Sequence, residues 1–211
     1  MLDNREIAEI FERFEIENPN PESELIAPNE YTFAIAVLLS AQTTDKAVNK
    51  ATKLLFEKAD TPEKMLALGL EGVKEHIKTL GLYNNKAKNV ILFSEMLVKN
   101  YESKLPRNRD ELEKLPGIGR KSANVIANRL FGSDHMAVDT HVLRLANRIG
   151  LSKSKNPLGV ETDLIKVVPQ KYQRNASDWL VLHGRYVCLA KKPKCSDCFL
   201  QDLCEFAKFE N

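Results

Sequence analysis

The sequence predicts an all-α protein. Apolar residues recur at helical spacing along most of the chain, and turn-forming residues separate these segments. No segment shows sustained two-residue alternation of polar and apolar side chains, the pattern of a half-buried strand. A chain of 211 residues with 43% hydrophobic and 28% charged content has the composition of a globular protein.

The first helix places four apolar residues on one face, at i, i+3, i+4 and i+7: Ile7, Ile10, Phe11 and Phe14. The two prolines of residues 18–22 end it. Further helices are expected over 31–59 with a break near 43–45, from Pro62 onward, over 72–80 and over 86–101. We expect Gly81 to end the helix of 72–80 in a left-handed conformation.

The stretch LPGIGRKSA, residues 115–123, predicts a tight turn between two helices. It differs from a nucleotide P-loop because Lys114 stands where the first glycine should be, and because a charged segment rather than a strand precedes it. Gly117 and Gly119 allow a sharp turn whose N–H groups favour an anion at the start of the next helix. From spacing alone, a plain helical hairpin that binds nothing stays possible.

The second half continues with a turn at Gly132 and with helices over 139–149, 161–168 and 177–190. Asp139 stands directly before a helix whose apolar residues share one side, which is typical of an N-cap. Lys121 begins the second helix of the hairpin, where a lysine is typical of a phosphate contact.

Charge is distributed unevenly along the chain. Residues 1–100 contain 12 Lys and Arg against 16 Asp and Glu, whereas residues 101–211 contain 19 against 13. A basic half permits an acidic partner such as nucleic acid. The longest apolar run, residues 33–39, is far too short to cross a bilayer, and no secretory signal is visible, so we expect no membrane partner and a cytoplasmic location.

All four cysteines lie within the last 24 residues in the spacing C-x6-C-x2-C-x5-C: Cys188, Cys195, Cys198 and Cys204. Without a signal peptide a disulfide framework is not expected, and four thiols this close in sequence indicate a metal site. Ligand softness suits Zn²⁺ and an iron–sulfur cluster equally. The spacing matches neither the usual pair of zinc C-x2-C motifs nor the ferredoxin run.

The hairpin with Lys121, the Asp139 that follows eighteen residues later, and the cysteine spacing together resemble the endonuclease III family. These proteins are DNA glycosylases and AP lyases of the helix-hairpin-helix superfamily. The resemblance covers nearly the whole chain and includes the segments LLSAQTTD (38–45) and GLY (81–83). This sequence departs from the family's common residues at Thr43, Ile118 and Ser122.

The resemblance implies two helical domains. A six-helix barrel would span residues 22–133 and include the helix-hairpin-helix near 109–131. Residues 1–21 and 134–211 would form a second domain whose four cysteines hold a [4Fe-4S] cluster with a structural role. Double-stranded DNA containing damaged pyrimidines or abasic sites would lie across the cleft between the domains, bound by a monomer.

The resemblance also implies a role for individual residues. Lys121 would be the nucleophile, and Asp139 the carboxylate that stabilises positive charge at C1′. A lysine attacks only as the free amine, so its ordinary pKa of about 10.4 must fall in such a site. The implied DNA contacts are Gln42, Leu82, Gly117, Ile118, Gly119, Arg120, His141, Lys191, Lys192 and Lys194.

Two alternatives differ from this prediction. A monofunctional mismatch glycosylase of the same superfamily lacks a lysine at the Lys121 position and has an additional C-terminal domain, so this sequence disfavours it. A DNA-binding module with a zinc-held tail and no catalysis has the same hairpin and cysteines. Its purified form would be colourless, whereas an iron–sulfur protein would be yellow-brown.

Overall fold

The computed structural model describes residues 2–210, with side chains through residue 208. In this range the chain forms helices and no strand, which confirms the predicted all-α class. The α-helices are α1 (Asn4–Glu17), α2 (Glu30–Leu39), α3 (Asp45–Lys58), α4 (Pro62–Ile77), α5 (Tyr83–Asn100), α6 (Arg109–Glu113), α7 (Arg120–Phe131), α8 (Thr140–Ile149), α9 (Pro157–Val167), α10 (Gln170–Tyr186) and α11 (Glu205–Glu210). A 3₁₀ turn spans Cys195–Asp197.

The chain divides into two compact units. Ser23–Phe131 form one unit, which contains α2–α7, and Met1–Glu22 with Gly132–Asn211 form the other. Each unit has its own apolar core. None of the helices in the described range is both long and apolar enough to span a membrane.

Helix α2 is the centre of the Ser23–Phe131 unit. Every residue from Tyr31 to Leu39 is buried, and α2 contacts α3, α5 and α7. A helix that is apolar on all sides is stable only inside a core, where each large aliphatic side chain contributes about 1.5–3 kcal/mol on burial. Asn29 begins α2 with a capping box to Thr32, so the helix start is fixed by local polar contacts.

The expected left-handed cap at Gly81 is wrong, because the left-handed residue is Leu82, with φ 60°. Leu82 stands at the N-cap of α5, and its carbonyl accepts a hydrogen bond from the N–H of Lys86 at 3.0 Å. The segment expected as a separate helix over 72–80 is the second part of α4, which bends at Gly69 with φ 73°. A left-handed conformation costs a non-glycine residue about 1–2 kcal/mol, so neighbouring contacts must maintain it at Leu82.

The second unit packs α1 against α10 around a cluster of aromatic side chains. Phe14 stacks on Trp179 with 6.1 Å between ring centroids, and the indole N–H of Trp179 donates to the carbonyl of Asn18 at 2.7 Å. Arg13 donates to the carbonyl of Phe199 at 2.7 Å and to both carboxylate oxygens of Asp202. The first helix therefore holds the C-terminal segment in place, and its predicted apolar face is buried.

The predicted helix over 139–149 is confirmed as α8, with its apolar face buried in the same core. The helices expected at 161–168 and 177–190 begin earlier than predicted. Pro157 fits the first turn of α9 after the capping side chain of Asn156, and α10 begins immediately after Pro169. Both starts depend on prolines, which the apolar periodicity does not detect.

Candidate functional site

The turn between α6 and α7 requires glycine at position 117. Gly117 has φ 80°, and an added Cβ would lie 3.0 Å from the Leu38 Cδ1 atom and 3.0 Å from the Asn89 Cβ atom. Next to it, the buried Ile118 side chain packs into the core, and the Ile118 N–H donates to the Leu115 carbonyl at 3.0 Å. Ile118 therefore anchors the turn from within the unit.

Gly119 differs from Gly117, because nothing in its own unit requires a glycine there. Its φ lies outside the left-handed region, and an added Cβ would have no neighbour within 4 Å. Gly119 is exposed and directly precedes α7, whose first N–H groups lack acceptors within the helix. The missing side chain leaves the start of α7 open to close approach by another molecule.

Two cationic side chains follow Gly119 in the first turn of α7. Arg120 and Lys121 are both exposed. The turn therefore combines an accessible backbone, a helix N-terminus and two positive charges, which is the arrangement expected for a phosphate group.

The carboxylate of Asp139 caps α8 in the second unit. One of its oxygens accepts hydrogen bonds from the N–H groups of His141 at 2.8 Å and Val142 at 2.9 Å. The other lies 3.2 Å from Nδ1 of His141. Because Gly184 of α10 has no side chain, α10 approaches this turn closely: an added Cβ would lie 2.9 Å from Cβ of His141. The predicted N-cap is confirmed, and the carboxylate is held in one orientation.

Gln42 and Leu82 share two unusual properties. Both are exposed, and both have a left-handed backbone, with φ 54° and φ 60°. Leu82 is 62% exposed, although leucine is usually buried. Exposed side chains on strained backbone are a common feature of functional sites, and they occur here at three of the predicted DNA contacts, the third being Lys192 with φ 53°.

Lys86 is a buried lysine next to Thr43 that sequence reasoning missed. It lies in the first turns of α5 and is only 5% exposed. Its Nζ atom donates to the hydroxyl of Thr43 at 2.5 Å, and burial lowers the pKa of its ammonium. The sequence predicts a helix that begins at residue 86, but no pattern in it indicates that this lysine faces inward.

The four cysteine thiols line one cavity in the second unit, together with residues of α8, α10 and α11. The cavity brings together all four predicted ligands, and cysteine thiolates are the usual ligands of iron–sulfur clusters.

Donor groups surround the sulfur atoms. Nη1 of Arg148 lies 3.3 Å from Sγ of Cys188, and Nε2 of His183 lies 3.3 Å from Sγ of Cys198. The N–H of Leu200 is 3.5 Å from the same Cys198 sulfur. Burial raises the pKa of the Cys198 thiol to about 11 and lowers the pKa of His183 to about 4. A bound cation would reverse this tendency at Cys198, because metal ligation requires the thiolate.

Arg148 also fixes the lysine-rich loop between the first two cysteines. Its guanidinium donates to the carbonyls of Leu189 at 2.7 Å and Ala190 at 3.0 Å. All three lysines of the loop are exposed: Lys191, Lys192 and Lys194. The cysteine cavity and the positively charged loop are therefore one structural feature.

Comparison with known proteins decides the family. Residues 35–170 match the HhH-GPD superfamily of base excision DNA repair proteins, and residues 188–204 match the iron–sulfur binding domain of endonuclease III. Endonuclease III of Rickettsia conorii is 52% identical over 200 residues, which is 95% of each chain. The chain belongs to the endonuclease III family. The Escherichia coli K12 member is 49% identical over 94% of each chain.

Solved structures agree with this assignment. A trapped endonuclease III–DNA covalent intermediate is 41% identical, covers 100% of this chain and 99% of its own, and has a TM-score of 0.92. A thermostable thymine-DNA glycosylase, at 22% identity and a TM-score of 0.86, shares the fold. This endonuclease III family member is therefore a base excision repair DNA glycosylase and AP lyase with a [4Fe-4S] cluster.

Proposed function

We propose that Lys121 is the nucleophile and that the enzyme removes oxidised pyrimidines from duplex DNA. The exposed position of Lys121, two residues after the open backbone of Gly119, supports the assignment. A phosphate held at the start of α7 would place the neighbouring sugar within reach of this lysine. No other lysine follows the hairpin turn so closely.

The neutral amine of Lys121 attacks C1′ of the damaged nucleotide, and the bond from C1′ to the base breaks as the base leaves. The nitrogen loses one proton, the bond from C1′ to the ring oxygen breaks as that oxygen takes up a proton, and a protonated Schiff base between Nζ and C1′ remains. Water removes the C2′ proton, and the electron pair of that bond passes to the Schiff base. The pair then returns to form the C2′–C3′ double bond, as the bond from C3′ to oxygen breaks with the 3′ phosphate as leaving group. Water then hydrolyses the Schiff base and returns the free lysine.

The negative charge of the Asp139 carboxylate stabilises the positive charge that develops at C1′ when the base leaves. Its carboxylate already accepts two backbone hydrogen bonds at the start of α8, so it needs little reorganisation. His141 lies in the same turn, and we assign it to a phosphate contact. A rigidly held carboxylate stabilises a transition state more effectively than a mobile one.

The hairpin and the lysine loop bind the DNA backbone. The phosphate contacts comprise the open turn of Gly117–Gly119, the Arg120 side chain and the three exposed loop lysines. Such contacts fix the register of the duplex without reading its sequence. This distribution suits an enzyme that must scan DNA of any sequence for damage.

Base removal from a duplex requires extrusion of the damaged nucleotide. We assign the filling of the vacated space to Gln42 and Leu82, whose side chains are exposed on loops at two different helix ends. One is polar and suits contact with base edges, and the other is apolar and suits insertion between stacked bases.

The [4Fe-4S] cluster has a structural role in this scheme. Iron–thiolate bonds to the four cysteines would join the end of α10 to the C-terminal segment and keep the lysine loop in one conformation. Bond cleavage in the DNA involves only groups of the protein and water. We further propose that the enzyme acts as a monomer of 23.9 kDa in the bacterial cytoplasm, where its DNA substrate is found.

The experiment that tests this function follows a labelled duplex carrying one thymine glycol. The proposal predicts base release together with cleavage 3′ to the lesion, leaving an unsaturated aldehyde on the cut end. Base release with an intact strand would instead indicate a monofunctional glycosylase. The absence of both reactions, with DNA still bound, would overturn the proposed substrate class.

A further inference from the structure

Lys86 is a buried ammonium group whose hydrogen-bond partner is neutral. It is 5% exposed, whereas Lys88 on the same helix is exposed. Its Nζ atom donates to Oγ1 of Thr43 at 2.5 Å. Removing a positive charge from water without a carboxylate partner is unfavourable, so a purely structural position would be better filled by an apolar side chain.

The hydroxyl of Thr43 transmits this contact to the backbone before Gln42. It accepts from Lys86 and donates to the carbonyl of Ala41 at 3.3 Å. That carbonyl belongs to the peptide group joining Ala41 to Gln42, and the orientation of this group determines φ of Gln42. The 54° value of that angle is unfavourable for a residue with a side chain, and it persists only where neighbouring contacts hold it.

Lys86 also lies beside the other loop, at the start of α5. Its N–H donates to the carbonyl of Leu82 at 3.0 Å, which is the ordinary first hydrogen bond of an α-helix, and Leu82 is likewise exposed with a left-handed backbone. One residue therefore bonds to both loops, through its backbone at Leu82 and through its side chain at Thr43. All of these contacts lie within the Ser23–Phe131 unit.

We infer that Lys86 and Thr43 form a positioning pair that holds Gln42 and Leu82 in the orientation needed to fill the space left by an extruded base. The inference rests on the proposed function, which assigns the filling role to those two side chains. Neither member of the pair contacts DNA in this scheme, and both act through the loops they join.

The test compares Thr43→Val and Lys86→Met with the wild type, and uses Lys88→Met as the matched control. Thr43→Val and Lys86→Met each remove one polar group of the pair while keeping a similar side-chain shape. Single-turnover base release is measured on a duplex with thymine glycol, and melting temperature reports folding. We expect each pair variant to lose about tenfold in rate, the equivalent of about 1.4 kcal/mol. Lys88→Met should behave as wild type.

Two further readouts separate positioning from general loss of structure. On a duplex with a preformed abasic site, where no base must be unstacked, the loss should be less than about threefold. In a Gln42→Ala background, Thr43→Val should cause no additional loss, because the residue through which it acts is already absent.

The outcomes distinguish this inference from the proposed function. If the wild type neither releases the base nor cleaves the strand, the proposed function fails. If the wild type is active and Thr43→Val releases the base at the wild-type rate, the positioning inference alone is overturned. The same holds if Thr43→Val lowers the rate further in a Gln42→Ala background. Should Lys86→Met fold poorly, Thr43→Val still decides the question, because it leaves the buried lysine in place.

Discussion

The carboxylate of Asp139 holds the imidazole of His141 and the first turn of α8 at the same time. Its oxygens lie 2.8 Å from the backbone nitrogen of His141 and 3.2 Å from Nδ1 of that residue. A helix cap and a catalytic carboxylate are therefore compatible in one side chain. Capping restricts the orientation of the group.

Substitution can separate the two roles of Asp139. Asp139→Asn keeps an effective capping side chain and removes the negative charge, so we expect an unchanged melting temperature and a loss of about 10²-fold or more in base release. Asp139→Ala removes both, and should also lower stability by about 1 kcal/mol. Near-wild-type activity of Asp139→Asn would mean that the carboxylate is a cap and nothing more.

The two hairpin glycines should respond differently to the same change. Gly117→Ala forces a left-handed alanine against Leu38 and Asn89, so we expect lower thermal stability. Gly119→Ala meets no neighbour and should leave melting unchanged, while weakening DNA binding about tenfold, the effect of losing one charge-assisted hydrogen bond. Equal DNA affinity of Gly119→Ala and wild type would contradict a phosphate at the turn.

The lysine loop should contribute to the salt dependence of DNA binding. Replacing Lys191, Lys192 and Lys194 by Gln should lower the slope of log affinity against log salt by about 2.7, or about 0.9 for each phosphate contact. A control triple replaces three exposed lysines outside the loop: Lys153, Lys155 and Lys166. An equal change of slope in both triples would show that the loop has no special part in binding.

Cys198 tests the cluster and the C-terminal fold together. Cys198→Ala should lose the yellow-brown absorption and the bound iron, and should expose the C-terminal segment to proteolysis. The same measurements on wild type should show iron and acid-labile sulfide rather than zinc. Normal iron content in Cys198→Ala would show that this residue is not a ligand.

The apolar pattern of the sequence predicts the helices that pack by one face. The faces of α1 and α8 are both buried as expected, because helical periodicity and burial have the same physical origin. The apolar pattern predicts the starts of α9 and α10 too late, because both starts depend on proline. It predicts the left-handed residue before α5 at Gly81, since glycine adopts this conformation without strain, whereas tertiary contacts impose it on Leu82.

The candidate site was predictable where a motif carries the chemistry. The cysteine spacing and the hairpin identify the family, and the structure places the four thiols around one cavity. Lys86 was not predictable, because a lysine in the first turns of a polar helix is usually solvated. Its burial follows from the packing of α5 against its neighbours, which no local pattern specifies.

Borohydride trapping tests the central claim most directly. Wild type, Lys121→Ala and Lys86→Met are each mixed with a thymine glycol duplex and borohydride, and a denaturing gel reports any covalent protein–DNA complex. The account predicts a complex with wild type, a slower one with Lys86→Met and none with Lys121→Ala. A complex that persists in Lys121→Ala would contradict Lys121 as the nucleophile, and its loss only in Lys86→Met would assign that role to the buried lysine.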